Sequence, residues 1–142
     1  MIRYTTVTRS HLDGILALLR VENWASYTED PDLTWRALTA AGVTTVVALE
    51  GERVVGFAQM QSDGQIQAHL SLILVDRTYR RRGIGRRLIE EALARAGGTR
   101  VDLFCEAGAE AFYESFKHRE DHRGYRIYPE IPAGSEEGQD LA

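Results

Sequence analysis

The apolar positions change period several times along the chain, and each change marks an element. Ile2 to Val7 alternates loosely and is rich in β-branched residues, which predicts a strand. Ser10, followed three positions later by Asp13, resembles a capping box. Beyond it Leu12, Ile15, Leu16 and Leu19 fall at helical spacing, so an amphipathic helix follows. Asp30 before Pro31 makes an N-cap and first-turn pair and Gly42 a stop, bracketing a second helix that presents Trp35, Leu38 and Ala41. Glu22 to Glu29, between the two, reads as a loop.

Val43 to Leu49 and Val54 to Gln61 are β-rich runs joined by Glu50, Gly51, Glu52 and Arg53, the pattern of a hairpin. Asp63 and Gly64 form a second turn. Ile66 to Val75 ends in Leu72, Ile73, Leu74 and Val75 without alternation, as a central strand covered on both faces would. From Ile84 the period becomes helical again. Leu88, Ile89, Ala92, Leu93 and Ala96 make one stripe, Glu91 stands four before Arg95, and Gly97 with Gly98 ends the helix. Val101 to Cys105 reads as a buried strand, Ala109 to Phe116 as a short helix, and Tyr125 to Tyr128 as a last strand. After Pro132 the hydrophobic residues thin out, which predicts a disordered tail over 133–142.

Composition narrows the class. With 142 residues, 44% of them hydrophobic, the chain has the material for one packed domain, placed here at 1–132. A single cysteine, Cys105, excludes an internal disulfide, and no apolar run is long enough for a membrane span or a signal-like start. The expectation is a cytoplasmic protein without a membrane partner. The formal charge of −4 speaks against nucleic acid as a general partner. Yet Arg80, Arg81, Arg82, Arg86 and Arg87 lie within eight positions, so an acidic chain carries one concentrated site for an anion.

That cluster sits where an anion is best bound. A strand ending at Val75, a short polar link, and then Arg80-Arg81-Arg82-Gly83-Ile84-Gly85 opening a long helix offers free N–H groups, the positive end of a helix dipole, and glycines that admit a close ligand. A dinucleotide fingerprint would need a third glycine where Leu88 stands, and no Gly-Lys-Ser/Thr follows. On this segment alone, a tight strand-to-helix turn with solvated arginines is the competing reading.

The segment resembles the signature of the GNAT superfamily of N-acetyltransferases, Gln/Arg-x-x-Gly-x-Gly/Ala, as Arg80-x-x-Gly83-x-Gly85. Leu72-Ile73-Leu74-Val75-Asp76 before it, and Leu88-Ile89 after it, look like that family too. Downstream, Ala111-Phe112-Tyr113-Glu114-Ser115 is similar to the family's second cofactor-proximal segment. The resemblance implies acetyl-CoA as cosubstrate. Backbone groups of Ile73, Leu74 and Val75 would run beside the pantetheine arm. Arg80, Arg81, Arg82, Gly83, Ile84, Gly85 and Arg86 would cradle the pyrophosphate. Tyr113 would be the general acid, since a phenol with a reference pKa of about 10 is protonated at neutral pH and can donate to a departing thiolate. The chain departs from the family where a Gly-Phe pair is common: Lys117 and His118 stand there, before a polar stretch to Gly124. An asparagine frequent near the pantetheine is replaced in the region of Glu106, Ala107 and Gly108.

An acceptor amine with a pKa near 10.4 is a nucleophile in only about one molecule in a few thousand at pH 7, so a base or a water relay must take its proton. His69, Glu106, Glu22 and Asp30 are the candidates, although a lone histidine in a strand, such as His69, is more often structural. Trp24, Tyr27 and Trp35 would either line the acceptor pocket or join the core, and Glu22, Glu29, Asp30 and Asp32 lean toward a cationic acceptor. Cys105 reads first as a small buried hydrophobe. His118 and His122 lack the second cysteine pair that a zinc site with Cys105 would want, so no metal is assigned.

Together these readings give a mixed α/β (α+β) expectation: a GNAT-like fold whose central, mostly antiparallel sheet of six or seven strands is splayed after the fourth strand and flanked by about four helices. The expected activity is direct transfer of an acetyl group to a primary amine, on a small cationic molecule or on a peptide or protein, with a homodimer as a further expectation. A non-catalytic acyl-CoA sensor or partner-binding module would keep Arg80 to Gly85 but not depend on Tyr113.

Overall fold

The computed structural model describes residues 1–129, and the tail expected over 133–142 lies outside the described residues. The chain forms two compact units, Met1–Leu103 and a second that begins at Phe104. The first holds a mixed α/β architecture on one sheet. Its strands are β1 (Ile2–Thr6), β2 (Val43–Glu50), β3 (Arg53–Ser62), β4 (Gln67–Val75) and β5 (Arg100–Asp102), paired in that order. The first four run antiparallel to their neighbours, and β5 is parallel to β4.

Helices α1 (Leu12–Val21), α2 (Ala25–Thr28) and α3 (Pro31–Leu38) precede β2, and α4 (Ile84–Ala96) lies between β4 and β5. Leu12, Ile15, Leu16 and Leu19 of α1 bury against Val47, Leu49, Val54, Phe57 and Leu72 of the sheet, with Leu38 of α3. On α4, Ile84, Leu88, Ile89 and Ala92 are buried, the periodic stripe the sequence predicts. The last turn of α3 is fixed by buried polar groups that would otherwise be costly to leave unpaired. Thr45 Oγ1 donates to the Leu38 carbonyl at 2.7 Å and Gln59 Nε2 to the Ala37 carbonyl at 3.1 Å.

Several local expectations change. Thr8 rather than Ser10 opens the first helical turn, its N–H donating to His11 Nδ1 at 2.9 Å. The segment read as a loop contains α2, because Trp24 and Tyr27 pack against the hydrophobic core and draw the chain into a turn. Ala41 is exposed, since α3 ends at Leu38. The strands covered on both faces are β3, buried from Val54 to Met60, and β2, buried from Thr45 to Leu49, whereas β4 alternates and leaves Ile73, Leu74 and Val75 half-buried.

The sheet has five strands among the described residues, not six or seven. β5 stops at Asp102 instead of reaching Cys105, with Phe104 and Cys105 exposed. Tyr125 to Tyr128 forms no strand; Tyr125 and Ile127, which would share one face, are 75% and 85% exposed, so that face is not buried. The expected splay after the fourth strand is present. β5 pairs only with Gln67, Ala68 and His69, and the rest of β4 has no strand beside it on that side among the described residues.

The second unit contains α5 (Glu110–Glu114). From Lys117 to Gly124 the chain has no helix or strand and is held by close pairs: His118 with Glu120 at 3.1 Å and Arg119 with Asp121 at 2.6 Å.

Candidate functional site

The open side of β4 leads directly into the glycine loop. β4 hands the chain to Asp76, whose N–H donates to the Val55 carbonyl at 2.8 Å, and whose carboxylate accepts from Thr78 N at 2.9 Å and Oγ1 at 2.8 Å. These hydrogen bonds from Thr78, aided by Arg53 at 3.0 Å, hold the Asp76 carboxyl below the usual carboxylate range. A 3₁₀ turn over Arg77–Tyr79 follows.

The loop then makes two left-handed residues before the helix. Arg81 has φ 64° and Gly83 has φ 79°. Gly83 is the N-cap of α4 and no side chain caps it. The first backbone bond closing α4 runs from Arg87 N to Gly83 O at 3.1 Å, which leaves the N–H groups of Ile84 and Gly85 outside the helical ladder. A Cβ at Gly83 would meet nothing within 4 Å, so the space in front of the helix is open. An uncapped helix start, a glycine in the left-handed region and open space together suit a diphosphate.

The arginine side chains behave differently from one another. Arg80 turns back onto the fold: its Nε donates to the Val75 carbonyl at 3.1 Å and its Nη2 to Glu22 at 3.2 Å. The Arg82 guanidinium lies 4.8 Å from the centre of the Tyr79 ring. Arg87 pairs with Glu91 at 2.8 Å. Arg81 is exposed and makes no ion pair among the described residues. Arginines that read as one uniform anion patch in the sequence are thus divided between bracing the loop and facing solvent.

Of the candidate bases, His69 is half-buried on β4, opposite Gln61 of β3 and Asp102 of β5, at the last pair before β4 and β5 part. Asp30 caps α3 by accepting from Leu33 N at 3.1 Å, and Glu22 binds Arg77 and Arg80. Asp32 pairs with Arg9 at 3.1 Å. The acids that leaned toward a cationic acceptor are therefore largely engaged within the fold, leaving Glu29. Trp24, Tyr27 and Trp35 pack against the core, and the Arg9 guanidinium lies 5.5 Å from the Trp35 ring centre. A cavity of about 180 Å³ opens where the end of α1 meets the end of β4. Leu18, Val21, Glu22, Leu74, Val75, Asp76 and Arg77 line it.

In the second unit, Tyr113 on α5 is half-buried with Phe112 edge-on at 4.9 Å between ring centres. Burial, then the neighbouring Cys105 and Glu106, push its pKa up to about 12, so the phenol stays neutral. Glu106 accepts from Ala109 N through its carbonyl at 3.0 Å, starting the turn before α5. Cys105 is exposed rather than buried, because β5 ends before reaching it. Slight desolvation, with the nearby Glu110, Glu114 and Glu106, raises its thiol pKa. Among the described residues no group of three or more His, Cys, Asp or Glu is placed to hold a metal ion, and no helix is long and apolar enough to cross a membrane.

A long-range contact was beyond sequence reasoning. Nothing in local spacing connects Glu22 to arginines more than fifty positions later. The left-handed Arg81 carried only the weak signal of its place in a glycine-bearing loop.

The model for the acetyltransferase (GNAT) family matches residues 11–117, and the chain belongs to that family. It is 28% identical over 129 residues to mycothiol acetyltransferase of Streptomyces scabiei, a match that covers 88% of this chain and 40% of that protein; the chain thus spans 40% of the length of this curated relative. A GNAT-family acetyltransferase of Streptococcus pneumoniae superposes with a TM-score of 0.74 at 25% identity, covering 92% of this chain and 100% of that one. The structure of AAC(6')-Iy in complex with the bisubstrate analogue CoA-S-monomethyl-acetylneamine gives a TM-score of 0.75 at 16% identity, over 92% and 99% of the two chains.

Proposed function

We propose that this chain transfers an acetyl group from acetyl-CoA to a primary amine by direct attack of the amine on the thioester. The observation that carries the reading is the uncapped start of α4, with Gly83 at φ 79°, following the half of β4 that has no strand on its β5 side among the described residues. The loop Arg80, Arg81, Arg82, Gly83, Ile84, Gly85 and Arg86 receives the pyrophosphate, chiefly through main-chain N–H groups. The backbone of Ile73, Leu74 and Val75 takes the pantetheine arm in place of a neighbouring strand. A strand N–H there polarises the thioester carbonyl as the tetrahedral intermediate forms.

Tyr113 is the general acid. A phenol at about 12 is protonated at every physiological pH. Because it is a weaker acid than the cysteine-like thiol of CoA, at about 8.5, it stabilises the leaving thiolate by donating a hydrogen bond as the C–S bond breaks. His69 or Glu106, directly or through water, takes the proton that the attacking amine loses. The fold likeness to AAC(6')-Iy, whose structure holds the bisubstrate analogue CoA-S-monomethyl-acetylneamine, supports an amine as acceptor. The acetyltransferase name of the Streptomyces relative supports acetyl transfer.

The test is thiol release from acetyl-CoA with a panel of small amines and peptides, with calorimetric CoA binding in parallel. Turnover on an amine together with CoA binding is expected. CoA binding with no turnover on any acceptor would favour a sensing module, and absence of CoA binding would overturn the reading.

A further inference from the structure

We propose that Glu22 is a positioning residue for the cofactor loop: by clamping Arg80 and Arg77 to the end of α1, it holds the loop in its anion-binding shape. The inference rests on the acetyl-CoA reading above and adds to it a residue outside the family motif. Glu22 stands immediately after α1, with its side chain 27% exposed. Its Oε1 is met by two guanidiniums, Arg80 at 3.2 Å and Arg77 at 3.6 Å. Arg80 is held twice, because its Nε also donates to the Val75 carbonyl. One side chain therefore joins the end of β4, the end of α1 and the residue three positions before Gly83.

The loop needs such a brace. Arg81, next to the clamped arginine, holds φ 64°, a conformation that costs an ordinary L-residue energy and persists only where the surroundings impose it. Arg82 is steadied on the far side by the Tyr79 ring. With Arg80 anchored before it and the α4 cap after it, Arg81 has little freedom to relax. Without Glu22 the guanidinium of Arg80 keeps only a carbonyl partner, the loop samples other shapes, and the N–H groups of Ile84 and Gly85 are less often presented together. Glu22 is also a wall of the cavity at the end of α1, and it is one of the candidate bases of the sequence analysis. With two guanidiniums on the same carboxylate oxygen, the side chain has the geometry of a strut.

Binding of CoA and steady-state acetyl transfer are measured on the wild type, Glu22→Gln, Arg80→Gln and the double variant. Glu22→Gln keeps shape and loses charge at a partly exposed site, so it should fold; a thermal melt confirms this. The Kd for CoA and the KM for acetyl-CoA should rise about threefold to tenfold, with kcat within about twofold of wild type. In the Arg80→Gln background the Glu22→Gln effect should shrink below about twofold, since the arm through which it acts is gone. An unchanged Kd in Glu22→Gln overturns the proposal even if the melt shifts, because a merely structural role would move stability alone. A fall in kcat with an altered pH profile and unchanged KM overturns it in favour of a base. Failure of the wild type itself to bind CoA removes the cofactor reading, a result distinct from any variant's.

Discussion

The two segments with motif character are built on different principles. The loop before α4 is defined by its main chain: Asp76 tied to Val55 and Thr78, Arg80 tied to Val75, and two left-handed residues leading into an uncapped helix. In the proposed function the segment around α5 rests on one side chain, Tyr113, in a helix of five residues whose flanking chain is largely exposed. A main-chain site tolerates exchange of its side chains as long as the backbone keeps its shape. A side-chain site fails with the loss of one atom. Binding should therefore be sensitive to glycines and braces in the first region, and chemistry to a single oxygen in the second.

The largest effect tests the second region. Tyr113→Phe removes only the hydroxyl, and kcat should fall about 10²-fold to 10³-fold while the Kd for CoA, by calorimetry, stays within about twofold. Loss of CoA affinity with kcat retained would reverse the division between the regions. The raised pKa adds a pH test of the same residue. With a folded pKa of about 12, Tyr113 keeps its proton across the working range, so its ionisation cannot produce an alkaline fall in rate below about pH 11. The rate should instead climb as the acceptor amine deprotonates toward its pKa of about 10.4 and then level off. A descending limb near pH 9 that disappears in Tyr113→Phe would contradict this.

The next effect tests the backbone region. Gly83→Ala adds a methyl that meets no atom within 4 Å, so any penalty comes from φ 79° rather than a clash. An L-residue held left-handed costs about 1–2 kcal/mol, enough to weaken CoA binding about tenfold if the cap shifts to relieve it. Gly83→Asn, a residue that tolerates this conformation, should keep most of the affinity. Equal losses in the two variants would mean that the space in front of Gly83 matters and its conformation does not.

What the sequence made legible follows the same division. The stripe Leu88, Ile89, Ala92 and the stop at Gly97 were readable because helix periodicity and left-handed glycine are local properties, and both appear in α4. Arg80, Gly83 and Gly85 stood out through their resemblance to the family signature, and Gly83 takes the left-handed conformation at the start of α4. The truncation of β5 at Asp102, and the absence of a strand at Tyr125 to Tyr128, were not readable. Apolar alternation states that a segment can pair, and pairing requires a neighbour elsewhere in the chain. Glu22 escaped for the same reason: its partners Arg77 and Arg80 reach it only through the docking of α1 beside the end of β4.

The smallest expected effect isolates the backbone most cleanly. Arg81 is a charged residue inside the proposed cofactor loop, so a side-chain view predicts that replacing it weakens CoA binding. Its φ of 64° says otherwise. Arg81→Gly relieves a left-handed conformation worth about 1–2 kcal/mol, and glycine's greater freedom in the unfolded chain returns roughly 0.5–1 kcal/mol of that gain. The net stabilisation of about 0.5–1 kcal/mol should raise Tm by about 1–4 °C for a chain of this size. CoA affinity should fall by less than about threefold, since the exposed guanidinium contributes only screened, long-range attraction, and that small loss should vanish at high salt. A tenfold loss that persists at high salt would show that the arginine side chain binds the ligand directly, and the loop would then have to be regarded as a side-chain site like the one around Tyr113.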